Sequence, residues 1–224
     1  MRLAALGFLA ALLAAPLAAQ AAQPAARFSV TLQGTIVDRL TYERTTADAE
    51  CTTRRTGDGG RLLSIRSFRP TAVRVTRGSA GIAYRPSRIA ALQVAATRLP
   101  GSYTDLRRCR SLPPERVRQS CPRAGSGLRL MRADFRRRPN AIAFTPLRSP
   151  RTDVTACGLS QSYAGGWLNL ASGRVDRRAL LSGRSRRVIV RASNTREVIL
   201  AAEPALQVTD RMTVRWTLTF RRLR

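Results

Sequence analysis

Across residues 28–42, apolar and polar residues alternate. Phe28, Val30, Leu32, Gly34, Ile36, Asp38, Leu40 and Tyr42 fall on even positions, with Ser29, Thr31, Gln33, Thr35, Val37, Arg39 and Thr41 between them. Successive side chains of a strand point to opposite faces, so this segment predicts a strand with one face on a core and a hydroxyl-rich face in water. It is long for one strand, and Asp38 is the lone charge on its apolar side. Together these predict a bend or bulge in the pairing near residues 34–38. The alternation returns near the C-terminus, where Met212, Val214, Trp216, Leu218 and Phe220 interleave with Thr213, Arg215, Thr217, Thr219 and Arg221.

Between these two strands the pattern is shorter and more often interrupted. Gly57-Asp58-Gly59-Gly60 lies between strand-like runs and predicts a hairpin turn, because such residues accept the positive φ that tight turns need. Short strands are expected at 72–76, 82–84, 89–95, 141–144, 153–157, 159–163, 166–170, 187–193 and 197–201, punctuated by Gly and Pro. Asp176 before 177–181, with Gly183 after, predicts one helical turn. The spacing argues for an all-β chain, an antiparallel β-sandwich of jelly-roll or Ig-like type with a barrel as runner-up, and at most one short helix.

The segment 107–138 departs from this rhythm. It carries eleven arginines against Glu115 and Asp134, with Pro113, Pro114 and Pro122, and only Leu128-Arg129-Leu130 hints at a strand. It is expected to be an exposed Arg/Pro-rich excursion of the domain.

Residues 1–21 combine a charged start, an apolar run and an Ala19-Gln20-Ala21 site, which reads as a cleavable export signal. The expected remainder, 22–224, is one β-sandwich domain without a further transmembrane segment, secreted or extracytoplasmic. About two hundred residues can bury roughly 70% of the unfolded chain's surface. Cys51, Cys109, Cys121 and Cys157 are an even number in an exported chain, so two disulfides are expected. The turn-forming 111–115 suggests that Cys109 bonds Cys121, leaving Cys51 for Cys157.

Charge then changes the picture. All 40 basic residues are arginine, 13 acids oppose them, and the formal net charge is +27. Such a field attracts polyanions, an anionic cell-envelope polymer being the partner expected here. A chain without lysine also fits a GC-rich codon bias, which accounts for Arg in place of Lys but not for the scarcity of acids. The densest arginines, Arg107, Arg108, Arg110, Arg136, Arg137 and Arg138, are the candidate polyanion-binding residues, since guanidinium groups bind oxyanions bidentately and keep their charge. If the charge serves a ligand, they should converge with Arg184, Arg186 and Arg187 on one face. If it does not, arginines should spread over outward strand positions such as Arg39, Arg66, Arg74, Arg191, Arg215 and Arg221.

Catalytic chemistry is thinly supplied. The chain has no histidine or lysine to serve as base to a serine or cysteine nucleophile, and no C-x-x-C, so neither a metal site nor a cofactor is expected. No catalytic residue is assigned. A carboxylate-dependent hydrolase of envelope polysaccharide is the alternative, with Glu43, Glu50 and Asp58 as its acids if two face each other across a cleft. A carbohydrate-binding module is a further alternative, with Tyr163 and Trp167 as stacking rings beside Gly165-Gly166. Both rings also suit the core of a hairpin.

Overall fold

The computed structural model describes residues 25–78, 81–138, 141–146, 153–165 and 168–224. The expected signal at 1–21 lies outside the described residues, as does Trp167. The chain is all-β and antiparallel, built on one twelve-stranded sheet. At its centre β1 (Ala25–Ala47) pairs with β14 (Leu206–Arg222) on one side and with β2 (Cys51–Ser67) on the other. Beyond β14 lies β13 (Arg187–Glu203). Beyond β2 the ladder continues through β5 (Arg88–Arg98), β8 (Ala124–Arg138), β9 (Ala141–Pro146) and β12 (Gly173–Arg174). Two branches leave this path. β3 (Thr71–Gly78) and β4 (Gly81–Arg85) extend from the start of β1, while β6 (Gly101–Cys109) and β7 (Glu115–Cys121) extend from the start of β2.

The sheet curls until its two halves face each other. Aromatic rings cross the interior between strands far apart in the ladder, with Phe144 of β9 edge-on to Trp216 of β14 at 4.9 Å and Tyr84 of β4 stacked on Phe135 of β8 at 5.4 Å. At the meeting edges, a Cβ on Gly173 of β12 would lie 2.5 Å from the Val190 side chain of β13. Those two edges touch without a ladder between them among the described residues. The enclosed core takes the even positions of β1, β13 and β14, as the alternation requires. The helix α1 (Arg177–Leu181) packs Leu180 onto it, with Asp176 accepting from the Ala179 amide at 3.0 Å.

Several expectations change. β1 runs without a register shift against β14 from Phe28 to Arg44 and against β2 from Gln33 to Ala47, so no bulge occurs at 34–38. Asp38 stays in phase because an arginine on β2 meets it inside. The 57–60 glycines do not turn the chain; they lie within β2, and the turn falls at Asp48, whose Oδ1 accepts the Glu50 and Cys51 amides. These glycines serve close approach instead. A Cβ on Gly59 would sit 2.8 Å from Ala156 Cα, and Gly60, at φ +149, lies against the Asp38 carbonyl. In 107–138 the structure places β7 and β8, and Met131, Ala133 and Phe135 of β8 enter the core behind flanking arginines that mask the period of two. The part of this segment exposed along its length is β7.

The disulfides are Cys51–Cys109 and Cys121–Cys157. The β2–β6 ladder sets Cys51 directly opposite Cys109. The β6–β7 hairpin sets Cys121 opposite Gly101, at the far end from Cys109, which removes the expected Cys109–Cys121 pairing.

Candidate functional site

Among the described residues, the interior holds one charged cluster. Asp38 of β1 and Asp210 of β14 are diagonal neighbours on the inner face, and both are fully buried. Arg61 of β2, also buried, donates from Nε to Asp38 Oδ2 at 2.7 Å. Its guanidinium lies so close to Gly165 that a Cβ there would overlap it. The trio separates the main core from a second one formed by Leu40, Tyr42, Val154, Ala156, Leu159 and Val208.

Two carboxylates and one guanidinium would leave a net negative charge in a dry interior, which is strongly unfavourable. Burial therefore pushes the Asp210 carboxyl up to about 7, with the Asp38 charge adding to the rise. Arg61 and the nearby Arg39 amide offset part of it, although neither Asp210 oxygen meets a described donor in full hydrogen-bond geometry. This is a structural knot rather than a catalytic dyad, because neither acid has a surface for a substrate to reach.

Two of the three acids expected for hydrolysis are engaged elsewhere. Glu43 forms an exposed pair with Arg54 at 2.6 Å, and Asp58 accepts from the Ser102 amide at 2.8 Å. Glu50 is exposed beside the turn, and its carbonyl accepts from the Arg110 amide at 3.2 Å. Tyr163 sits half-buried on β11 (Tyr163–Ala164) against the second core, donating to Gln161 at 3.0 Å, and burial raises its pKa. Among the described residues no group of three or more His, Cys, Asp or Glu is placed to hold a metal ion, and no helix is long and apolar enough to cross a membrane.

The arginines divide into separate groups. Arg107 and Arg108 lie on β6, opposite the start of β2, with Arg110 just beyond. Arg136, Arg137 and Arg138 end β8, paired with β9. Arg107 aligns through Thr53 with Thr46 of β1, whereas Arg187 aligns through Arg221 with Ser29 of β1. Those two positions are separated by roughly 55 Å of strand at about 3.3 Å per residue. The first group and Arg184–Arg187 thus occupy opposite ends of the molecule.

Around β6 the arginines have acids for company. Arg55 is bidentate to Asp105 at 2.6 and 2.7 Å and lies 4.4 Å over the Tyr103 ring, holding the Asp105 carboxyl below its usual range. Arg107 faces Glu115 across the β6–β7 hairpin.

The opposite end differs. The outward positions of β3, β4, β1, β14 and β13 carry Arg74, Arg85, Arg27, Arg221, Arg215, Arg187 and Arg191, all exposed. Threonine, serine and glutamine occupy most of the positions between them, and no carboxylate appears until the row joining Glu197, Arg211 and Arg39. A shallow depression of ≈ 630 Å³ lies in this face, lined in part by Gln33, Thr35, Arg191, Ser193, Arg215 and Thr217. Arg187 stands directly opposite Arg221, and Arg27 opposite Arg74, which is opposite Arg85. Like charges directly opposite on a sheet repel, so these rows are destabilising until an anion neutralises them. The alternation in sequence exposes Arg74, Arg191, Arg215 and Arg221 but not their grouping, which depends on strand order. Arg27 shares the odd, outward parity of β1, whereas nothing in the short β4 run marks Arg85.

Comparison with protein-family models, curated proteins and solved structures gives no match for this chain.

Proposed function

We propose that the protein is an exported, non-catalytic binding module that holds an anionic polymer of the cell envelope on the outward arginines of β3, β1, β14 and β13. The observation that carries this reading is the acid-free face, on which arginines stand opposite one another without a carboxylate on any neighbouring strand position. A flat sheet face with hydroxyls between guanidiniums suits a polymer backbone, with charge-assisted hydrogen bonds supplying affinity and little demand for sequence or shape. Export is supported by four cysteines bonded in two disulfides with none free, the usage of an oxidising compartment.

The test is equilibrium binding of the full chain to a long inorganic polyphosphate at several salt concentrations. With about five phosphates contacted, log affinity should fall against log salt with a slope of about −3 to −4, as for single-stranded chains. Binding that ignores salt would overturn the electrostatic mechanism, and absence of binding would overturn the reading itself.

A further inference from the structure

At the edge of the acid-free face, three arginines converge on a cavity. The β1–β3 and β3–β4 ladders set Arg27, Arg74 and Arg85 in one row across three adjacent strands. Their Cα atoms therefore fall within about 10 Å of one another. The cavity, ≈ 610 Å³, is lined by these three together with Ala72, Val73, Pro86 and Leu223. Its wall is held by the Leu223 amide, which donates to the Arg27 carbonyl at 2.9 Å. Among the described residues no carboxylate lines it. None of the three arginine side chains makes an ion pair or hydrogen bond with a described residue.

We infer that this cavity is a discrete binding site for a tetrahedral oxyanion, a phosphate or sulfate ester. Three positive charges held in a row are costly when empty and favourable around one multivalent anion. A carboxylate offers two oxygens and one charge, enough for one bidentate guanidinium. A phosphate or sulfate offers three or four oxygens and can bridge neighbouring forks. The volume lies in the range of small-molecule sites and exceeds what the oxyanion alone would fill. The remaining space, against Val73, Pro86 and Leu223, would take the less polar body to which the ester is attached. The inference goes beyond the polymer reading, since a single ester group suffices to occupy this cavity, and it would seat one such group of a polymer at the edge of the face.

The experiment is a titration of the full chain with sodium phosphate and, separately, sodium sulfate, each against sodium chloride at matched ionic strength, following the arginine Nε–H resonances by NMR. Saturable shifts confined to Arg27, Arg74 and Arg85, absent with chloride, are expected with at least one of the two oxyanions. Tighter phosphate binding would point to a phosphoester and tighter sulfate binding to a sulfate ester. Arg74→Gln should weaken binding about tenfold or more. Arg85→Gln, on an edge strand where folding is little affected, should do the same, and Arg118→Gln, on exposed β7 at the other end of the sheet, should leave it unchanged. Identical shifts with chloride, or undiminished binding in both Arg74→Gln and Arg85→Gln, would overturn the site. Polyphosphate binding measured alongside separates the two readings, because loss of polymer binding with oxyanion binding intact would remove only the face.

Discussion

The two ends of the long central strands carry similar numbers of arginines arranged to opposite purpose. Where β1 ends and β2 begins, arginine is part of the scaffold: Arg54 bonds Glu43, Arg55 bonds Asp105 and lies on Tyr103, and both disulfides fasten the strands nearby. Where β1 begins, arginines of β3, β1, β14 and β13 face one another with no acid on the outward positions of those strands, while Asp134 of β8 pairs with Arg88 of β5 at 3.3 Å on the other half of the sheet. The same residue type is paired and contributes to stability at one end, whereas on the outward face of these four strands its rows of like charge work against it. Net charge alone hides this division. A codon preference explains why the basic residue is arginine at both ends, but it does not explain why six acids, Glu43, Asp48, Glu50, Asp58, Asp105 and Glu115, gather at one of them.

Substitutions should separate the ends, and the largest effects belong to the fastened one. Cys51→Ser with Cys109→Ser, opening a bridge of sequence separation 58, should lower stability by about 4 kcal/mol. Chemical denaturation would record that loss, while polyphosphate affinity of the folded fraction stays at the parent value.

Between the ends, Arg61→Leu leaves Asp38 and Asp210 inside without their guanidinium and should cost about 3–5 kcal/mol above pH 7. The cost should shrink below about pH 7, where the Asp210 carboxyl holds a proton. Asp210 has its own signature. Its carboxyl is pushed up to about 7 in the folded chain, against about 3.9 when unfolded. Between those values the folded state keeps a proton the unfolded state has released, so this contribution is fully present below about pH 4 and is lost as pH rises through about 7. Asp210→Asn should flatten that fall, which urea titrations from pH 4 to 8 would show. An unchanged slope would contradict the account of the buried trio.

Smaller effects follow at the surface. Arg55→Gln, which removes the Asp105 pair and the contact with Tyr103, should cost about 1–2 kcal/mol. Arg191→Gln with Arg215→Gln should change stability by no more than about 0.5 kcal/mol in thermal melts, or raise it slightly, while weakening polyanion binding.

The alternation of β1 and β14 was legible because one face is buried along the whole pairing, and a period of two then fixes which side chains enter. The Asp176 cap was legible because capping is local. The pairing of Cys121 with Cys157 was not, since it depends on the β6–β7 register and on segment 153–165 folding back over β2. The 57–60 glycines misled because the same residues that turn a chain also allow another backbone to approach closely. Asp210 carried a readable signal: it continues the inward parity of Val208 and Met212, and Arg61 shares parity with Leu63 and Ile65. Charges of opposite sign in phase with separate apolar faces, Asp38 among them, point to a buried charged cluster. The acid-free face was hidden because its arginines come from five strands whose order a single sequence does not reveal.

The most direct test uses two variants of equal charge change. One carries Arg191→Gln, Arg215→Gln and Arg221→Gln; the other carries Arg107→Gln, Arg108→Gln and Arg116→Gln. Polyphosphate affinity is measured for both at several salt concentrations. The first should lose on the order of a hundredfold at about 1 kcal/mol per arginine, with the salt slope shallower by about 2. The second should lose only severalfold and keep the parent slope. Equal losses would mean that net charge alone governs binding, and a larger loss in the second would place the site on the β6–β7 hairpin.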